Sequence, residues 1–264
     1  MLSKSGVFYV ILFFIFISCS KPEKFPVRLS EKVAPGSVFL NKSVFTVNSA
    51  LTIDSVQKSD FGKELNELLL SRQLYENRDD KFDLASLENL WTTIEKSSAD
   101  FNFGNISDWI EITGFLFEIT GKEKYAGELE NVLLQCSVSF SENEMKTIEK
   151  QLVPYIFTKN VDHIHVNLFA NATIKYNHTL DGTVEITQET NYPESGKILI
   201  KFKMENKRYI ELFIRIPEWA EGATVTEKGV KYVATPGSYC QIARKWNEGD
   251  FVEVNLPVEK MPKR

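Results

Sequence analysis

The chain has 264 residues, 43% hydrophobic and 25% charged, close to the globular average, so a sizeable core can form and wholesale disorder is excluded. Its net charge is -5, and residues 160–264 carry 14 Lys+Arg against 14 Asp+Glu, so the acidic excess lies in the first 159 residues. Neither half has the basic excess that nucleic acid demands, and three Cys exclude both a disulfide framework and a four-thiolate zinc site.

Val7 to Ile17 (VFYVILFFIFI) is an unbroken apolar run, shorter than the roughly 20 residues of a spanning helix and of the length of a signal-peptide core. Ser18-Cys19-Ser20 follows it. A small residue before a Cys at this place resembles the cleavage site of bacterial lipoproteins. Residues 1–18 are therefore expected to be removed and Cys19 lipidated. The chain would then be exported to the cell envelope and tethered to a membrane, on the periplasmic or the cell-surface side. Residues 19–60 read as a tether followed by an irregular or extended segment, with short apolar runs at Val38-Phe39-Leu40 and Val44-Phe45-Thr46-Val47.

From residue 61 the apolar period becomes helical. Leu65, Leu68, Leu69 and Tyr75 fit one helix face; Leu84, Leu87, Leu90, Trp91 and Ile94 fit a second, with Asp83 as N-cap. Ile106, Trp109, Ile110, Thr113, Leu116 and Phe117 form a third, ended by Gly121. Tyr125, Leu129, Val132, Leu133 and Cys136 form a fourth. Met145, Ile148 and Leu152 form a fifth, which Pro154 is expected to stop. Residues 61–158 thus predict a helical domain of five helices.

After residue 160 the period is two. Ile164, Val166 and Leu168 alternate with polar neighbours, as do Ile198, Ile200, Phe202 and Met204, then Ile210, Leu212, Ile214 and Ile216, then Val252, Val254 and Leu256. Asp181-Gly182, Lys228-Gly229, Pro236-Gly237 and Glu248-Gly249 punctuate these runs. One apolar face per strand and short turns predict an antiparallel β-sandwich over 159–264. The fold class is α+β: a partial α/α domain, then the sandwich.

The strand text resembles a known family. VDHIHVNLF (Val161–Phe169), QETNYP (Gln188–Pro193), LFIRIPEWAEGA (Leu212–Ala223), Gly237-Ser238-Tyr239 and WNEGDFVEVNLP (Trp246–Pro257) are similar to the β-sandwich of glycoside hydrolase family 127, the β-L-arabinofuranosidase-like proteins. Ile119-Thr120-Gly121 with Tyr125 and Leu129 resembles a helix–turn–helix late in that family's (α/α)6 helical barrel, and Pro154-Tyr155-Ile156-Phe157 resembles the segment leading into the first strand. The resemblance covers residues 80–260 and implies a glycosidase whose thiolate nucleophile is held by zinc. It also implies where those groups belong: a Glu-x-Cys pair near Asn102 to Asn105, and a Cys-Cys pair near Phe140-Ser141. No Cys stands at either place. Five helices cannot close a barrel of twelve. The sequence therefore reads as a truncated, divergent copy, expected to be catalytically inactive and to bind a glycan or a protein. The alternatives are a hydrolase of arabinose-containing or other plant-type glycans working through other residues, and a truncated gene product.

Weighing single residues leaves no assigned catalytic group, no metal and no cofactor. Asp108 and Glu111, three apart on the third helix, share a face. His163 and His165, two apart on a strand, point one way and are placed to chelate a metal with Asp162 nearby, though the pattern identifies no third ligand. Trp109 has a ring that can stack on a sugar. These five are the candidate ligand-facing residues, and carbohydrate the candidate ligand. Cys136 and Cys240 lie on apolar faces without a nearby base. Nothing in the pattern sets an oligomeric state.

Overall fold

The computed structural model describes residues 29, 31–32, 37–41, 61–97 and 103–262. The apolar leader, Cys19 and Val44–Val47 lie outside the described residues.

Five helices stand where the period of 3.6 placed them: α1 (Phe61–Glu76), α2 (Leu84–Ser97), α3 (Phe103–Thr120), α4 (Glu123–Ser139) and α5 (Glu142–Ile156). Asp83 caps α2, its Oδ2 accepting the Ser86 N–H at 3.0 Å. Helix α3 is buried on nearly every face from Trp109 to Ile119 and packs against α1, α4 and α5, as expected of a helix apolar all round. It ends at Gly121, whose φ of 63° suits glycine, with its N–H on Phe117 O at 2.8 Å. Gly114 lets α5 close on α3, because a Cβ there would lie 2.0 Å from the Tyr155 ring. A capping box of Ser141 and Glu144 starts α5. Pro154 does not stop this helix, which runs on to Ile156. In the last turn a missing N–H costs one backbone bond at most, and the chain leaves the helix two residues later.

β3 (Phe157–Asn160) begins in the residue after α5, so no linker separates helices from sheets. The remaining strands are β4 (His163–Val166), β5 (Ala172–Asn177), β6 (Thr183–Thr190), β7 (Lys197–Met204), β8 (Arg208–Ile216), β9 (Thr224–Glu227), β10 (Val230–Tyr232), β11 (Ser238–Trp246) and β12 (Phe251–Asn255). The segment before the helices adds β1 (Glu31–Lys32) and β2 (Val38–Leu40). A five-stranded sheet has the order β1-β3-β4-β8-β11, and a seven-stranded sheet the order β10-β9-β12-β7-β6-β5-β2. The stretch read as tether and irregular chain thus lends an edge strand to each sheet.

One pairing departs from the antiparallel expectation: β4 and β8 run parallel, Ile164 opposite Leu212. Between them the chain crosses to the other sheet for β5, β6 and β7, then re-enters beside β4 in the same direction. Period-2 patterning reports which face a residue takes, not the direction of its neighbour. The inner faces carry the alternating apolar residues, with Leu212, Ile214, Ile186, Ile200 and Val252 fully buried. Phe202 of one sheet stacks on Trp246 of the other at 3.9 Å. One apolar cluster runs from the helices through the sandwich. The helices cover part of the outer face of the five-stranded sheet.

Candidate functional site

The helices meet the sheet at Arg215. It alternates with Ile214 and Ile216, so it points out of the sandwich, yet α4 covers it and its exposure is 1%. Glu123 and Glu130 lie two turns apart on α4 and face the sheet together. Gly127 stands between them, where a Cβ would make ordinary contact, 3.8 Å from Arg215 Nη1. Nη1 donates to Glu123 Oε1 at 2.9 Å, Nη2 donates to Glu130, and Nε donates to the Asn167 carbonyl at 2.5 Å. The Phe169 ring lies 5.3 Å from the guanidinium carbon. The Asn167 side chain donates to Tyr155 O and Thr158 Oγ1 and accepts from Tyr239 Oη at 2.8 Å. Burial alone would lower the Arg215 pKa, but the two carboxylates outweigh it and hold the guanidinium firmly charged. One cation facing two carboxylates leaves a negative charge uncompensated. Burial accordingly pushes the Glu123 carboxyl up, against the pull of Arg215. The donors are consumed internally, and the group acts as a joint between α4 and the sheet.

Beside the joint the outer sheet face opens. His165 stacks on Phe213 at 4.6 Å and meets Tyr239 edge-on at 5.6 Å. His163 is exposed and 3.8 Å from Glu211, which also accepts from Tyr209 Oη and Gln241 Nε2. The two histidines therefore share a face and flank the same Phe213 ring, His163 at 6.0 Å and tilted, His165 at 4.6 Å and stacked. Burial, then the charge of His163, pulls His165 down to about 4, and its Nδ1 is buried without a partner. Among the described residues no three His, Cys, Asp or Glu side chains group to hold a metal ion.

Asp108 and Glu111 line a cleft of about 420 Å³ between α1 and α3, with Leu69, Arg72, Gln73 and Asn77. Arg72 pairs with Glu111 and stands 4.0 Å from Glu76. Burial, then the Glu111 charge, raises the Asp108 carboxyl. Trp109 is not ligand-facing. It is wholly buried, stacks on Trp91 at 5.3 Å and donates to Glu128 at 3.0 Å. The amphipathic reading of α3 placed it on the apolar side, and that side faces core. Cys240 is buried, which pushes its thiol up to about 11, away from thiolate chemistry. The side chain of Cys136 lies outside the described residues, as does Cys19. Where the resemblance implies zinc ligands, Asn105 is half-buried at the start of α3 and Phe140 packs on the core. Ser141 is spent on capping α5. A carboxamide, a phenyl ring and a hydroxyl already in use do not fit zinc.

The joint was not read from the sequence. A lone Arg among alternating Ile residues looks solvated. The available signal was Glu123-x3-Gly127-x2-Glu130, two carboxylates on one helix face around a residue without a side chain.

Residues 163–258 match the family model described as "Beta-L-arabinofuranosidase, GH127 middle domain". No curated protein matches the chain. Among solved structures, a glycoside hydrolase is similar at 24% identity and a TM-score of 0.49, over 58% of this chain and 32% of that one. A GH127 beta-L-arabinofuranosidase from Geobacillus stearothermophilus is similar at 22% and 0.47, over 57% and 31%. A further GH127 beta-arabinofuranosidase is similar at 22% and 0.49, over 56% and 31%. The chain thus spans about a third of the length of the structures it matches. The family model supports the resemblance read from the strand text: this chain is similar to a divergent family 127 member.

The buried imidazole gives a testable pH response. The folded His165 pKa of about 4 lies below the ordinary 6.5, so the unfolded chain takes up the proton first. Stability from this group is complete above 6.5 and lost as pH falls toward 4. His165→Phe keeps a ring on Phe213 and removes the titration. Denaturant titrations from neutral pH down to about pH 4.5 should show the variant losing roughly 2–3 kcal/mol less than the parent. Equal losses would mean that His165 is not held neutral by the fold.

Proposed function

We propose that this chain, similar over residues 163–258 to the family 127 middle domain, is a lipid-anchored, glycan-binding protein that does not hydrolyse arabinofuranosides. One observation carries the reading. At the places where the resemblance implies a zinc-held thiolate, the chain has Asn105, Phe140 and Ser141, and the Ser141 hydroxyl is committed to starting α5. Zinc ionises a coordinated thiol at neutral pH and fixes its direction. Here the described thiol, Cys240, is pushed the opposite way by burial. The sandwich is what remains of the family pattern in recognisable form, and a sheet face that needs no chemistry can bind sugar without cutting it.

A second reading, a hydrolase with rewired carboxylates, draws on the α1–α3 cleft. Asp108 is biased toward its protonated form there, while Arg72 pairs with Glu111. Such a split between two carboxyls is what acid and base roles require.

The purified chain, assayed on β-L-arabinofuranosides with and without added zinc, should release no sugar and retain no stoichiometric zinc. Turnover lost on Cys240→Ala would overturn the proposal. Turnover that survives Cys240→Ala and is lost in Asp108→Asn would establish the second reading instead.

Export and lipid attachment at Cys19 belong to the same proposal and rest on the apolar run of residues 7–17 before Ser18-Cys19. Among the described residues no helix is long and apolar enough to cross a membrane. The parent should stay with membranes through a carbonate wash, and Cys19→Ser should be released. A variant that stays bound would sink the anchor.

A further inference from the structure

We infer that the outer face of the seven-stranded sheet carries a binding cleft for a short neutral oligosaccharide. This rests on the glycan-binding reading above and gives it a place. The cleft has a volume of about 670 Å³, within the usual span of ligand sites. None of the five residues singled out from the pattern lines it.

The ladder register lays out its floor. Leu199 sits opposite Glu189 on one side and Glu253 on the other, and Glu253 sits opposite Thr226. In the next row Lys197 faces Asn255, which faces Thr224. The loop between β6 and β7 supplies Asn191 and Ser195 as a wall. The floor is thus one half-buried aliphatic side chain ringed by hydroxyls, carboxamides and a carboxylate. A pyranose or furanose ring has matching chemistry: a C–H face for Leu199 and vicinal hydroxyls for the polar ring.

Five of the polar groups here are also available. Others of the lining are paired, Glu189 with Lys201 at 2.7 Å and the Asn171 amide on the Thr190 carbonyl at 2.6 Å, and outside the cleft Thr173 pairs with Thr187 at 3.0 Å. In the cleft the side chains of Asn191, Thr224, Thr226, Glu253 and Asn255 make no hydrogen bond or ion pair with the described residues. Charge is balanced, since Lys201 neutralises Glu189 and Lys197 offsets Glu253. That favours a neutral ligand over an acidic polysaccharide. β6, β7, β12 and β9 are interior strands whose ladders are complete, so no backbone edge is open to an added peptide strand.

The test is calorimetric titration of the purified full chain with three probes: a neutral arabino-oligosaccharide, a neutral gluco-oligosaccharide and an acidic galacturono-oligosaccharide. At least one neutral probe should bind and the acidic probe should not. The paired substitution Thr226→Ala with Asn255→Ala should weaken that binding about tenfold or more, at an unchanged unfolding midpoint. Equal binding by variant and parent would overturn the cleft and leave the glycan reading intact. No binding of either neutral probe would overturn both. Tighter binding of the acidic probe would overturn the assignment to a neutral ligand.

Discussion

A single buried guanidinium ties the two halves of this molecule together. Arg215 leaves the five-stranded sheet on its outer face and meets two carboxylates of α4 and the backbone of Asn167. Taking such a group out of water costs several kcal/mol, which only a complete set of partners offsets. Any displacement of α4 along the sheet would strand the cation. The joint therefore sets where α4 lies and, through α4, where α3 and α5 pack. Apolar burial supplies most of the adhesion, but it is non-directional. The ion set makes one docking geometry better than its neighbours.

This arrangement divides the outer surface of the sandwich. The helices occupy the Arg215 end of the five-stranded sheet, where Phe117 of α3 reaches Tyr239, and His165 and Phe213 lie half-buried beside it. The outer face of the seven-stranded sheet carries the cleft, in which five polar side chains have no partner among the described residues. Chemistry and recognition separate accordingly. Burial pushes the Cys240 thiol away from its thiolate form, and Asn105 and Ser141 stand where the resemblance implies zinc ligands. The floor around Leu199, with its hydroxyls, carboxamides and balanced charges, is where the proposed glycan would sit.

Much of the architecture was legible in the sequence because two periods differ so plainly. The apolar spacing of α2 and the alternation of β8 each match one secondary structure, and Asp83 and Gly121 mark helix ends by local backbone chemistry. Other features depend on what lies across from a residue, which a single sequence does not carry. The alternation that put Arg215 outward was correct, but only the packing of α4 made outward mean buried. Trp109 was placed on a helix face without knowing that this face met Trp91. The parallel pairing of β4 with β8 needs the path of the intervening chain. The cleft was invisible because it joins Leu199, Thr226 and Asn255 across three strands, and its residues are unremarkable singly. The strand text was specific enough to point to family 127, and the missing Cys pairs were as informative as the matching strands.

The central claim, that Arg215 holds the helices on the sheet, is tested most directly by equilibrium unfolding of Arg215→Met. Far-ultraviolet circular dichroism reports both halves; with Trp219→Phe and Trp246→Phe placed in parent and variant alike, the remaining fluorescence of Trp91 and Trp109 reports the helical half. The parent should unfold in one coincident transition. The variant leaves Glu123 and Glu130 buried without their cation, so it should lose about 3–5 kcal/mol, the fluorescence transition preceding the dichroism transition. Coincident transitions at the parent's midpoint would contradict the account.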